Sequence, residues 1–273
     1  MKILARKNTK MMLNKVPEVM IWFWIIKILA TTMGETAADF IIFNLKFGLN
    51  GTSMIMSLLL TAILAMQLHA HAYKPWLYWS TVVLISIVGT LVSDTLVDNF
   101  GVTLELATLV FGVMLAVTFI SWYRIERTLS IHTIVTRRRE LFYWAAILFT
   151  FALGTSGGDL VSEGFHLGYA NAALLFSGAI AIVAIAHYAL KANAVATFWI
   201  AYILTRPLGA SCGDLLSQSV VNGGLGFGAV ITSGIFRVII VALVVYLTII
   251  QKRVAFCVPI PSINTNDDLL NNG

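Results

Sequence analysis

Charge is what this sequence has least of. Asp, Glu, Lys and Arg make up 11% of its 273 residues, against about a quarter in soluble domains. That scarcity excludes an ordinary soluble fold. Cysteine is nearly absent as well. Cys212 and Cys257 stand far apart, which excludes a disulfide framework and a Cys-x-x-Cys metal or redox motif. There is no His-Glu-x-x-His, no serine nucleophile elbow and no phosphate-binding glycine loop, so an enzyme has no positive support. No cofactor is expected. The five histidines share no common setting, and His69-x-His71 reads as a solvated pair. The net charge of +5 does not point to nucleic acid, because positive charge in so apolar a chain orients it in a bilayer first.

Long apolar runs are what the chain does have. Its hydrophobic fraction is 59% and its mean hydropathy +0.87. These values predict an all-α, polytopic membrane helical bundle with the lipid bilayer as its main partner. Eight helices are predicted, over 18–43, 52–70, 77–97, 102–122, 141–163, 169–190, 194–218 and 226–250. The first run is too long for a signal-peptide core and lacks a cleavage site. A single transmembrane domain is expected over 1–250. Residues 251–273 read as a flexible cytoplasmic tail.

The odd-numbered helices repeat a pattern. Trp24, Gly34 and Asp39 recur as Trp79, Gly89 and Asp94, as Trp144, Gly154 and Asp159, and as Trp199, Gly209 and Asp214. In each set Gly follows Trp by ten residues and Asp follows Gly by five. A two-helix unit is therefore used four times, over about 17–70, 73–122, 140–190 and 194–250. The Trp-to-Trp steps are 55, 65 and 55 residues (79−24, 144−79, 199−144). The longer middle step divides the chain into pseudo-twofold halves, 1–122 and 141–250.

The segments FWIIKILATTMGETAAD, YWSTVVLISIVGTLVSD, YWAAILFTFALGTSGGD and FWIAYILTRPLGASCGD resemble a family of bacterial integral membrane proteins. Its members are built from four tandem two-helix repeats, each with a characteristic tryptophan. The resemblance implies a bacterial inner-membrane protein and brings no activity or assigned site.

Lys and Arg set the orientation. Fourteen of the 18 lie at the N-terminus, after the even helices or at the C-terminus. Only Lys46 lies in a connection on the opposite side, and Lys27, Arg206 and Arg237 fall within spans. Both termini are thus expected in the cytoplasm. A two-helix unit returns the chain to its starting side, so the four repeats insert in parallel. The tryptophans are then expected at the inner interface, where such rings anchor helices. The aspartates lie about 22 Å away along each helix.

Acids inside a membrane are costly and usually functional. Asp39, Asp94, Asp159 and Asp214 share one depth, and each has an oxygen-bearing neighbour one turn back, among them Glu35, Thr90, Thr155 and Ser211. Oxygen-rich ligands suit a hard cation. The set is the candidate cation or metal site of a secondary transporter, in which the acids alternately bind cation and proton. Proton-coupled movement of an organic solute is an alternative. So is a non-transporting scaffold or sensor, in which the acids cap helices or hold loops. Arg206, eight residues before Asp214, is expected as a counter-ion to an aspartate. Lys27 is close enough to its helix end to snorkel. The repeat glycines are expected to let helices pack closely, and Pro207 to kink the seventh helix. Glu105 and Glu163 are further acid candidates.

Overall fold

The computed structural model describes residues 15–257, with side chains to residue 249. Among the described residues there are eight long helices and no strand. They are α1 (Ile21–Asp39), α2 (Gly48–His69), α3 (Pro75–Asp94), α4 (Leu104–Glu126), α5 (Arg137–Asp159), α6 (Tyr169–Tyr188), α7 (Ala194–Ser217) and α8 (Gly228–Cys257). The basic residues of the N-terminus up to Lys10, and the tail from residue 258, lie outside the described residues. The expected start of that tail at 251 is corrected, because α8 continues to Cys257.

Local chemistry sets several helix starts. Pro75, which lacks an N–H, opens α3, at a position where that donor would have no partner. Thr103 and Thr136 accept from the backbone N–H of Leu106 and Arg139. Asn193 accepts from Val195 and Ala196 at 2.9 and 3.1 Å. Each caps an otherwise orphaned donor. Six helices are long and apolar enough to cross a membrane. The two that fall short are α1 and α7, which carry Lys27, Glu35, Asp39, Arg206 and Asp214.

The helix ends differ from expectation at the aspartates. Asp39, Asp94 and Asp159 are the last α-helical residues of α1, α3 and α5. A five-residue π-helical turn follows each one, Phe40–Asn44, Thr95–Asn99 and Leu160–Gly164. Asp214 instead lies inside α7, which runs without interruption through Pro207. The local departure from α-geometry is therefore in the first three repeats, and not at the proline.

Packing is cyclic. The odd helices touch in the order α1–α3–α5–α7 and back to α1. Each even helix lies mainly on the odd helix of the next repeat: α2 on α3, α4 on α5, α6 on α7, and α8 on α1. A repeat in sequence is thus not a packing unit, and the last helix closes the ring on the first. The four repeat glycines explain how the ring closes. A Cβ on Gly34, Gly89, Gly154 or Gly209 would lie 2.5, 2.6, 2.5 or 2.7 Å from the Cβ of Ser86, Phe151, Arg206 or Thr31. All four partners lie seven residues after the Trp of the following repeat. Only glycine leaves room for that approach, as the sequence pattern predicts. The odd helices are mostly buried. The even helices turn large apolar side chains such as Leu58, Leu109, Leu174 and Val238 outward.

Candidate functional site

One stripe on each odd helix faces its counterparts. It starts at the residue before the Trp and recurs every fourth residue, the spacing of one helix face. The first layer is Phe23, Tyr78, Tyr143 and Phe198, and the second is Lys27, Val82, Ile147 and Tyr202. The third is Thr31, Ser86, Phe151 and Arg206. The fourth is Glu35, Thr90, Thr155 and Ala210, and the last is the four aspartates. Members of the same layer meet: Tyr78 bonds Tyr143, and Lys27 lies over Tyr202. Equivalent residues at equal height require the four helices to run parallel, with one Trp end and one Asp end.

Arg206 occupies the middle of this stack and is fully buried. Its Nη2 donates to Glu35 Oε2 at 2.8 Å, to Thr155 Oγ1 at 2.7 Å, and to Thr90 Oγ1. Those three residues are the fourth layer of the other three repeats. A guanidinium supplied by the fourth repeat thus ties together the same position of the first three. Nη1 donates to Thr31 O at 3.0 Å, and Thr90 Oγ1 donates to Glu35 Oε2 at 3.1 Å. Such a buried pair persists when further hydrogen bonds support it, and here two threonine hydroxyls and a carbonyl do so, while Arg206 Nε has no partner among the described residues. The expected pairing of Arg206 with an aspartate is corrected. Eight residues along one helix is too far for contact, whereas Glu35 is one layer away across the ring.

The aspartates form the layer beyond this knot. Asp214 is buried and the other three are half-buried. None of the four side chains makes a hydrogen bond or ion pair among the described residues. They do share one electrostatic environment. Glu35 acts on all four, Asp159 acts on Asp94 and Asp214, and Glu163 acts on Asp159 and Asp214. The expected metal centre at Asp39, Asp94, Asp159 and Asp214 is not assembled here. Among the described residues no three of the His, Cys, Asp and Glu side chains are placed to hold a metal ion. Each acid ends or nears the end of a separate helix.

The remaining candidates separate clearly. Thr90 and Thr155 join the Arg206 knot. Ser211 is buried with its hydroxyl unpartnered and lies outside that knot. Glu105 is exposed on α4, and exposed Glu163 accepts from Tyr169 Oη at 2.8 Å. Lys27 does not snorkel: it is fully buried. The Gly-x-Ser-x-Gly spacing of Gly154–Gly158 was overlooked in the sequence, but that run is continuous helix, and Ser156 donates to Ala152 O at 3.2 Å. A nucleophile elbow needs a strand-to-helix turn instead.

The tryptophans of the repeat set face the bundle: Trp24 is partly buried and the other three are buried. Trp79, Trp144 and Trp199 are 2, 3 and 5% exposed and pack against the first-layer aromatics. Trp22 and Trp76 are the exposed ones at that end. The aromatic stack of Phe23, Tyr78, Tyr143, Phe198 and Tyr202 was missed as a feature of the axis. The signal was present in the repeat register, as the fourfold spacing that leads from the residue before each Trp to each Asp.

Chemically, the arrangement is a layer of carboxylates, a buried guanidinium paired with Glu35 one layer behind it and an aromatic layer behind both.

No curated protein and no solved structure matches the chain. A family model matches residues 22–73, 77–128, 142–193 and 197–253, four consecutive copies that coincide with the helix pairs α1–α2, α3–α4, α5–α6 and α7–α8. The chain therefore belongs to the family described as Repeat of Unknown Function (DUF347).

Proposed function

We propose that this protein is an integral membrane transporter of a small cation, with protons exchanging on the aspartate layer. All eight helices span the bilayer in this reading, including the charged α1 and α7, whose ionic residues face the ring axis and not lipid. The outward apolar faces of the even helices meet the acyl chains. Lys74, Arg127, Arg137–Arg139 and Lys191 at the Trp end support its assignment to the cytoplasmic side, and Lys46 stands alone at the Asp end. The membrane is the bacterial inner membrane, as the resemblance implies.

The observation that carries the reading is the alignment on one axis of four unpaired carboxylates with a buried Arg206–Glu35 pair one layer behind them. A cation entering the acidic layer competes with Arg206 for Glu35. Substrate arrival and the loosening of the central knot are therefore linked, which is what alternating access requires of a plug. The four carboxylates surround a path without forming a chelating cage in this conformation. That geometry suits a weakly held ion in transit better than a tightly bound structural metal.

The test is flux in proteoliposomes with the full chain. Under an imposed pH gradient, panels of monovalent and divalent cations are offered on either side. Asp94→Asn and Asp159→Asn should each lower flux of the transported ion at least about tenfold, with unfolding behaviour close to wild type. Undiminished flux in all four single Asp→Asn variants would overturn the assignment of the acids.

A further inference from the structure

Lys27 has no role in the acidic layer, and its surroundings are unlike those of any other lysine in the structure. It lies on α1 two layers from Glu35 toward the Trp end. It is fully buried, and Nζ has no hydrogen-bond partner among the described residues. Its contacts are aromatic faces: Nζ stands 3.8 Å from the ring centre of Tyr202 and 4.8 Å from that of Phe151. An ordinary core position would hold an apolar residue here, as Val82 and Ile147 do in the same layer. Helix α1 therefore carries an amine that packing does not call for.

The groups around it are few. From α7, Tyr202 lies under Nζ and Arg206 is the neighbouring charge. From α5 come Phe151 and, beside Tyr202, Tyr143. From α3 comes Tyr78. On α1 itself, Glu35 is occupied by Arg206. Helix α8 also packs on α1, but its Arg237 points outward and is exposed. No carboxylate reaches Lys27 to hold a charge on it.

The hydroxyls lead away from Lys27 in one direction. Tyr202 Oη makes no hydrogen bond among the described residues, and Tyr143 is its electrostatic neighbour. Tyr143 Oη and Tyr78 Oη are hydrogen-bonded at 2.5 Å. The Tyr78 ring lies 5.7 Å from that of Tyr73, in the connection between α2 and α3 whose neighbours His71, Ala72 and Lys74 are exposed. All three span tyrosines are fully buried. Buried hydroxyls in sequence are a route by which protons cross an apolar layer that ions cannot.

We propose that Lys27 is a proton-binding site of the transport cycle, and that the hydroxyls of Tyr202, Tyr143 and Tyr78 pass its proton to and from the Trp end. The inference rests on the transporter reading above and adds the coupling group to it. In the transfer Nζ gives up one proton and becomes an amine. Each hydroxyl accepts a proton on one lone pair and releases its own to the next, so the tyrosines end unchanged and one proton appears at the connection. Among the described residues only the Tyr143–Tyr78 link is hydrogen-bonded as it stands; the steps from Nζ to Tyr202 and from Tyr202 to Tyr143 each need a side-chain rotation or one bridging water.

The experiment reads Lys27 directly, so that its outcome is independent of transport. The full chain, with ¹³C-labelled lysine, is placed in lipid nanodiscs and its lysine Cε resonances are followed by NMR from about pH 5 to 9. The Lys27 signal is assigned by its absence in Lys27→Met. Should that variant fail to fold, Tyr202→Phe identifies the signal instead, since it keeps the ring face and alters only the neighbouring hydroxyl. Expected is a Lys27 signal that changes between its two charge states within this range, while the surface lysines stay constant. In proteoliposomes Tyr143→Phe should lower proton flux about tenfold without moving the Lys27 titration. A Lys27 signal constant over the whole range, or proton flux unaffected by Tyr143→Phe, would overturn the proposal. Titration of Lys27 together with Tyr143-dependent proton flux, in a protein that moves no cation, would leave the proton site standing and refute the cation-transport reading alone.

Discussion

One methyl group at Gly154 should do damage out of proportion to its size. Gly154 is where α5 admits Arg206 of α7. An added Cβ would lie 2.5 Å from Arg206 Cβ and 3.0 Å from Pro207 Cδ, against about 3.5–4 Å for comfortable carbon contact. The helices must part by roughly 1 Å, or Arg206 must leave its place. Ala gains about 1 kcal/mol over Gly by helix propensity. Overpacking costs about 1–3 kcal/mol, and weakened charged hydrogen bonds to Thr155 and Thr90 cost about 1.5–3 kcal/mol more. The net expectation for Gly154→Ala is a loss of about 1.5–5 kcal/mol on the same scale. Gly178 on α6 is the control, because a Cβ there meets nothing within 4 Å. Gly178→Ala should be neutral or gain up to about 1 kcal/mol. Unfolding titrated with SDS in mixed micelles and followed by tryptophan fluorescence gives both values. Equal stability of the two variants would refute the ring-closure reasoning.

Three further outcomes are expected. Glu35→Gln leaves Arg206 buried without its charged partner and should lose about 3–5 kcal/mol in the same assay, whereas Glu35→Gln combined with Arg206→Met should recover part of that loss; additive losses would show that the pair does not interact. Lys15 donates to Glu140 at 2.7 Å and to Leu68 O at 3.1 Å, and Gln67 donates to the same carboxylate, so Glu140→Ala should free the segment before α1 for proteolysis, read as a cleavage rate at least about tenfold faster, and an unchanged rate would make the cluster dispensable. Single cysteines at positions 74, 130 and 191 should react with a membrane-impermeant maleimide only from inside the cell and one at position 46 only from outside, and labelling of position 191 from outside would break the parallel-repeat topology.

Much of the ring was legible in the sequence, because its determinants are local and repeated. The Trp–Gly–Asp spacing located the four odd helices, and the glycines announced close packing before any partner was visible. The partners themselves were not legible. Spacing along one helix suggested that Arg206 would serve Asp214, but contacts across a ring depend on height and not on sequence distance. Height is shared by equivalent positions of different repeats, which is why Glu35, Thr90 and Thr155 meet on Arg206. Lys27 escaped for a related reason. Its distance from the helix end suggested snorkelling, while the aromatic faces it meets, Tyr202 and Phe151, come from the fourth and third repeats. The π-turns after Asp39, Asp94 and Asp159 have no proline to mark them. The proline expected to kink α7 lies inside a helix that runs uninterrupted from Ala194 to Ser217.

The most direct measurement of the central claim is ion flux through Arg206 variants in proteoliposomes, read together with the aspartate layer. Arg206→Lys keeps one charge but not the planar fork that reaches three repeats. If the guanidinium plugs an axial cation path, this variant should leak the transported cation down its gradient at least about tenfold faster than wild type without coupling to protons. Asp159→Asn added to it should abolish the leak. A variant that folds, binds no faster and leaks nothing, or a leak indifferent to Asp159, would contradict an axial path through the acidic layer and Arg206.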